Sequence, residues 1–289
     1  MNKNKSFLGS IFSLVSFSNR LIFAMVLFYF TFFILSKFFI DDLAKFIFLN
    51  PGDIINGDYI WTLLTSIFIH GSVFHLFVNM ITLFFLGNFS EQIIGRKRFI
   101  FLFLLAGLVG GLFYVGGAFI GSKIPSLVNV LGTLDVPAVG ASGAIFGLLG
   151  LLAVLVPRFK VYLIAGPIIA LTLSIFVENL IPGAVGAFIS LLIVFIAFSM
   201  IFFMFSPNPK LRKYAVPIGM NMWLAPIVAI VPLVVIAFFL PLLTGKQLPI
   251  GNTAHFGGLV VGLIYGVFLR LKYPKKIQFL QTMLRRNGV

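Results

Sequence analysis

Three histidines, His70, His75 and His255, are the only imidazoles in the chain, and there is no cysteine. A thiol nucleophile, a disulfide and a cysteine metal site are therefore excluded. No HExxH occurs, and three histidines without a thiol are a poor donor set, so no metal and no other cofactor is expected. No Asp falls inside an apolar stretch, and Glu91 and Glu178 lie at opposite ends of such stretches, so a paired-carboxylate site is also unavailable. What remains is hydroxyl and imidazole chemistry. Ser142 opens an apolar stretch, and a serine hydroxyl is a weak nucleophile until a neighbouring base takes its proton. His75 and Asn79 stand at i and i+4 and share one helix face. From the residues alone, that pair either donates hydrogen bonds into a cavity or forms an interhelical hydrogen bond that holds a bundle together.

The elements that must position these groups are membrane helices. Apolar types make up 60% of the 289 residues and charged types 10%, with 37 Phe. At roughly 20 residues per crossing of a ~30 Å hydrocarbon layer, about eight helices are affordable. A soluble domain, a disordered chain and a secreted disulfide scaffold are ruled out. Charges and Pro/Gly clusters place spans near residues 21–40, 73–90, 99–120, 142–157, 161–180, 184–205, 221–243 and 254–271. The expected fold class is an all-α polytopic membrane protein. Ile181-Pro182-Gly183 predicts a turn between the fifth and sixth spans.

Basic residues write the topology. Of 21 Lys and Arg, 17 fall on the side that eight crossings give to both termini, which assigns the termini to the cytoplasm. The net charge of +14 is spread in short runs between apolar segments, not gathered on a patch, so nucleic acid is not an expected partner. The lipid bilayer is. Residues 1–20 read as a cytoplasmic segment without a cleavable signal peptide, 21–271 as the transmembrane domain, and 272–289 as a solvated basic cytoplasmic tail placed to touch anionic lipid. Residues 41–72 mix apolar and turn residues and are expected to lie half sunk in the outer interface.

Depth brings the reactive groups together. His75 is 16 residues from Glu91, His255 is 15 from Arg270, and Ser142 is 16 from Arg158. At roughly 1.5 Å per residue all three sit about 22–24 Å above the inner boundary. The fourth span is too short to cross fully and is expected to begin below a recess that water can enter. The last span carries Gly258, Gly262 and Gly266, and the fourth carries Gly143, Gly147 and Gly150. Glycines at such spacing are common in membrane helices, but they also let two backbones approach closely. If these faces meet, Ser142 and His255 meet.

Gly140-Ala141-Ser142-Gly143 followed by Phe146-Gly147, and Ala254-His255-Phe256-Gly257-Gly258 followed by Gly262, resemble the nucleophile motif and the last helix of the rhomboid intramembrane serine proteases. His70, His75 and Asn79, with Glu91 and Gly95, resemble that family's second helix, and Trp61 to Thr65 its embedded first loop. The likeness covers about 55–160 and 220–270. It implies a six-helix core and hydrolysis of peptide bonds in or near the transmembrane segments of substrate proteins. By the same likeness Ser142 is the nucleophile, His255 the base, and His75, Asn79 and the Ser142 N–H the oxyanion hole. Gly140, Gly143, Gly258 and Gly262 support the site, with Phe146 beneath the histidine and His70 in the loop. Relative to that pattern, Thr62 stands where Arg is usual and Phe146 where Tyr is common. A helical hairpin, about 161–205, is inserted into the core. A catalytically silent protein that binds membrane clients is the alternative. A transporter or channel would call for midplane charges that the spans lack.

Overall fold

The computed structural model describes residues 16–38, 43–164, 166–167, 170, 173–174, 177, 180–181, 183–204, 208–244 and 251–286. Lys3, Lys5, Asp41, Asp42, Glu178 and Lys246, and nine residues of the predicted 161–180 span, lie outside them. The protein is an all-α polytopic membrane protein with one small β-ribbon. Its described residues fall into two units, one within Met1–Pro157 and Ala225–Gly288, the other within Arg158–Leu224.

The first unit contains α1 (Phe17–Phe38), α2 (Val73–Ile94), α3 (Arg96–Lys123) and α4 (Ser142–Leu155). It continues, beyond the second unit, with α6 (Ala225–Thr244), α7 (Asn252–Lys272) and α8 (Pro274–Arg286). Helices α1, α2, α3 and α7 are long and apolar enough to cross a membrane. At 14 residues α4 is about 21 Å long and falls short of a ~30 Å core. It lies at the centre of the unit, packed on α3 and α7 and buried along nearly its whole length.

Local chemistry sets several helix ends. The backbone N–H groups of Phe17 and Ser18 donate to the Glu91 carboxylate at 3.0 and 2.8 Å, so an anion from α2 caps the start of α1. Ser72 caps α2, its hydroxyl accepting from the His75 N–H at 3.1 Å. Midway along α2 the helix widens to a π-turn at Leu83–Gly87. The Ser18 hydroxyl donates to the Leu83 carbonyl there (3.3 Å), a group that a π-turn takes out of the regular ladder.

The joint between α4 and α7 is backbone on backbone. A Cβ on Gly258 would overlap the Gly143 carbonyl, and one on Gly262 the Gly147 carbonyl. From α3, a Cβ on Gly110 would come 2.8 Å from the Ala254 carbonyl and 3.6 Å from the Gly143 Cα. Three helices thus touch through residues that carry almost no side chain.

The second unit holds the β-ribbon and α5. Strands β1 (Lys160–Ile164) and β2 (Pro217–Asn221) pair antiparallel, with Lys160 opposite Asn221 and Ile164 opposite Pro217. Helix α5 (Ala184–Met204) is a membrane-length apolar helix, and Gly183 before it adopts φ +91°. The ribbon corrects two predicted span boundaries. Val161-Tyr162-Leu163-Ile164 is not the start of a helix, and Asn221 belongs to a strand. A short run of β-branched, aromatic and aliphatic residues reads equally as strand or buried helix, and here a matching extended segment is available to pair with it. The predicted loop at 41–72 folds into short helical turns at Leu43–Phe46, Pro51–Asn56, Thr62–Thr65 and Ser66–Phe68, and residues 274–286 of the tail form α8.

Because the Gly147 carbonyl cannot move without breaking α4, Gly262→Ala is expected to destabilise the protein by about 1–3 kcal/mol. Gly116→Ala, where an added Cβ meets nothing within 4 Å, is expected to hold or raise the thermal midpoint in detergent, because alanine favours a helix over glycine.

Candidate active site

The segment leading into α4 is fixed on three sides. The Tyr114 hydroxyl on α3 donates to the Val136 carbonyl at 3.0 Å. Leu49 and Ala138 exchange backbone hydrogen bonds of 3.1 and 2.8 Å, and the Gly140 N–H donates to the Ser66 carbonyl at 2.8 Å. Gly140 has φ +120°, in the region that L side chains avoid. Space forbids a side chain there too, since a Cβ would fall 2.7 Å from His75 Cε1 and 3.4 Å from Asn79 Nδ2. This turn delivers Ser142 as the first residue of α4, where backbone N–H groups have no partner within the helix.

Opposite it, His255 is the fourth residue of α7. The close approach of Ala254 to Gly110 and Gly143 sets its height, and its Nε2 lies 2.8 Å from the Ser142 Oγ. The imidazole is stacked on Phe146, one turn along α4 from Ser142, with ring centroids 4.5 Å apart and planes at 21°. His255 is buried, while Ser142 is part-exposed. The Nδ1 of His255 is buried without a hydrogen-bond partner, so the flat face of Phe146 orients the ring. Among the described residues no three His, Asp or Glu side chains gather as a metal site.

His75 and Asn79 stand side by side along α2 on the Gly140 side of Ser142. Asn79 is buried, and its Nδ2 donor is unpartnered. Read from the sequence, the pair allowed either a cavity-facing or a bundle-holding role. An unsatisfied amide donor beside the backbone that carries Ser142 fits the first. His70 lies at the mouth of α2, 1% exposed, its ring set edge-on to His75 at 5.2 Å between centroids. Burial, with a smaller contribution from His75, lowers its pKa to about 3. Ser142, His255, Phe146, Gly140, Gly143, His75 and Asn79 are thus brought together, Gly258 and Gly262 hold the helices that carry them, and His70 borders the group.

Thr62, in the position where the resembled pattern has Arg, is buried at 1% exposure with its hydroxyl unpartnered. The loop is tied instead by the Trp61 indole N–H donating to the Phe46 carbonyl at 2.9 Å and the Thr65 hydroxyl donating to the Ile47 carbonyl at 3.0 Å. Three residues with a part in the site escaped sequence reasoning. Tyr114 could have been noticed as a lone phenol within an apolar span. Ser66, which acts through its carbonyl, and Gly110, one of many glycines on α3, carry no such signal.

Fold and site together define a polytopic helical membrane protein with a hydroxyl–imidazole pair held between two of its helices. The profile of the Rhomboid domain family matches residues 57–207, just over half of the chain. The chain belongs to the rhomboid family. It is 36% identical to RHOMBOID-like protein 1 of Arabidopsis thaliana over 115 residues, 39% of this chain and 26% of that one. It is 36% identical to Rhomboid protease GluP of Bacillus subtilis over 111 residues, 38% of this chain and 18% of that one. To Inactive RHOMBOID-like protein 8 of Arabidopsis thaliana it is 31% identical over 125 residues, 43% of this chain and 31% of that one. The matched segments span less than a third of each of these relatives.

A histidine whose pKa is lower folded than unfolded opposes folding as it charges. Its contribution vanishes above the unfolded value of about 6.5, and stability falls as pH drops from there towards the folded value of about 3. Between pH 7 and pH 5, His70 is expected to account for roughly 2 kcal/mol of lost stability. Thermal unfolding of His70→Phe in detergent at the two pH values is expected to show a correspondingly weaker pH dependence than the unsubstituted protein.

Proposed function

We propose that the protein is an intramembrane serine endopeptidase that cleaves other membrane proteins in or near their transmembrane segments. The observation that carries this reading is the 2.8 Å contact between Ser142 Oγ and His255 Nε2 across the α4–α7 joint. His255 Nε2 takes the hydroxyl proton as Oγ attacks the substrate carbonyl carbon. The oxyanion that forms is met by the Asn79 amide, the His75 ring and the Ser142 N–H, fixed donors of the kind that supply the largest catalytic contribution in water-poor sites. His255 then passes its proton to the departing amine. Water deprotonated by the same nitrogen hydrolyses the acyl-enzyme and returns the proton to Ser142. The partners are transmembrane substrate proteins within a lipid bilayer, and the location is the plasma membrane with both termini in the cytoplasm. The relative named Rhomboid protease GluP supports hydrolysis. The relative named inactive keeps a second reading open, a silent rhomboid-like protein that binds membrane clients.

Cleavage of a transmembrane reporter by reconstituted protein separates the two. Ser142→Ala and His255→Ala are expected to reduce turnover to background while leaving the protein folded. Asn79→Ala, which removes one oxyanion donor, is expected to lower kcat by about a hundredfold or more. Full turnover by Ser142→Ala would refute the protease assignment.

A further inference from the structure

Helix α8 has no part in the proposed chemistry, yet it is neither loose nor water-loving on all sides. It follows α7 after Tyr273 alone, and the Arg98 guanidinium donates to the Tyr273 hydroxyl at 2.8 Å. The Gln281 amide donates to the Leu155 carbonyl at 2.7 Å, and Ile277 and Leu284 are buried against the first unit. The helix is therefore held against the end of α4. Of its other apolar residues Leu280 is half-buried, while Phe279 and Met283, at i and i+4, are 66% and 44% exposed. Lys275, Lys276, Arg285 and Arg286 surround them, and no Asp or Glu follows Glu178 anywhere in the chain. Glu91, the acidic residue at this end of α2, is taken up capping α1.

Between α8 and the end of α2 lies an open cleft of about 470 Å³. Gln92, Lys275 and Lys276 line it together with Ile93, Ile277, Phe279 and Leu280. Cations and hydrocarbon in one recess, beside the final turn of a membrane helix, match an amphiphile whose head is anionic. A basic helix with exposed Phe and Met beside its lysines has the composition of one lying in the bilayer interface.

We propose that α8 lies in the plane of the membrane surface and that the cleft it forms with Gln92 and Ile93 binds the headgroup of an anionic phospholipid. Lys275 and Lys276 pair with the phosphate, and Phe279 and Met283 enter the acyl boundary. Juxtamembrane lysines attract anionic lipid at roughly fivefold in affinity each, so the two together supply a preference of roughly twenty- to thirtyfold. Because α8 is already docked, no ordering of a free tail opposes binding.

The test uses full-length Ser142→Ala protein, so that its outcome does not depend on proteolysis. Binding of acyl-labelled phosphatidylglycerol is measured in uncharged detergent micelles, with phosphatidylcholine of the same chains as competitor. Phosphatidylglycerol is expected to win, and raising salt to weaken it. Lys275→Gln/Lys276→Gln is expected to lose roughly twenty- to thirtyfold in affinity. Lys45→Gln/Lys123→Gln, which removes equal charge from the other end of the unit, is expected to bind normally. Thermal midpoints without lipid show that both variants fold, and Phe279→Gln tests the cleft if the lysine pair does not. Equal binding of the two lipids, or equal loss in both double variants, would overturn the proposal. So would displacement by inorganic phosphate or by polyglutamate as effective as displacement by lipid, which would point to a free anion or an acidic protein.

Discussion

Everything at the candidate site depends on how closely two helix backbones can approach. Glycine at 143, 147, 258 and 262 lets the carbonyls of α4 press against the Cα atoms of α7. A single methyl group at 258 or 262 would push the helices apart. The hydrogen bond between Ser142 and His255 is 2.8 Å long, so a shift of one ångström at the joint would remove it. Lipid supplies little hydrophobic drive for helices to associate, so packing of this kind must fix the geometry.

The second constraint is how an imidazole is oriented without a carboxylate. In a triad an acid holds the histidine ring and its tautomer. Here Nδ1 is buried and unpaired, and the ring rests on Phe146, a residue of the same helix that carries Ser142. Ser142 and the support of the ring therefore move together, while His255 arrives from α7. The turn at Gly140 ties in the third helix: only a residue without Cβ lets His75 and Asn79 come this near the backbone that leads to Ser142. A network of backbone contacts from Ser66, Leu49 and Tyr114 holds that turn against the folded loop and α3.

Much of this was legible in the sequence because membrane helices make depth countable. Equal spacing of His75, Ser142 and His255 from inner charges put them at one level, and two glycine stripes indicated which helices touch. Other features were not legible. Val161 to Ile164 read as helix because a short apolar run has no decisive period, and its partner lies more than fifty residues away. Glu91 ends the second span, but that its carboxylate also caps α1, a contact between residues 73 and 74 positions apart, could not be read from the sequence. The π-turn in α2 has no sequence signature of its own and is matched by a serine on another helix. Thr62 stands where the resembled pattern has Arg, and the loop is tied instead by Trp61 and Thr65 through backbone carbonyls that composition cannot reveal.

The most direct measurement is the site of reaction with a fluorophosphonate, which is attacked only by a serine whose proton a neighbouring base removes. The bilayer-reconstituted protein is treated, digested and mapped by mass. A phosphonyl adduct on Ser142 that disappears when His255 is replaced by Ala is the predicted result. An adduct elsewhere, or labelling of Ser142 that is indifferent to His255, would contradict the account.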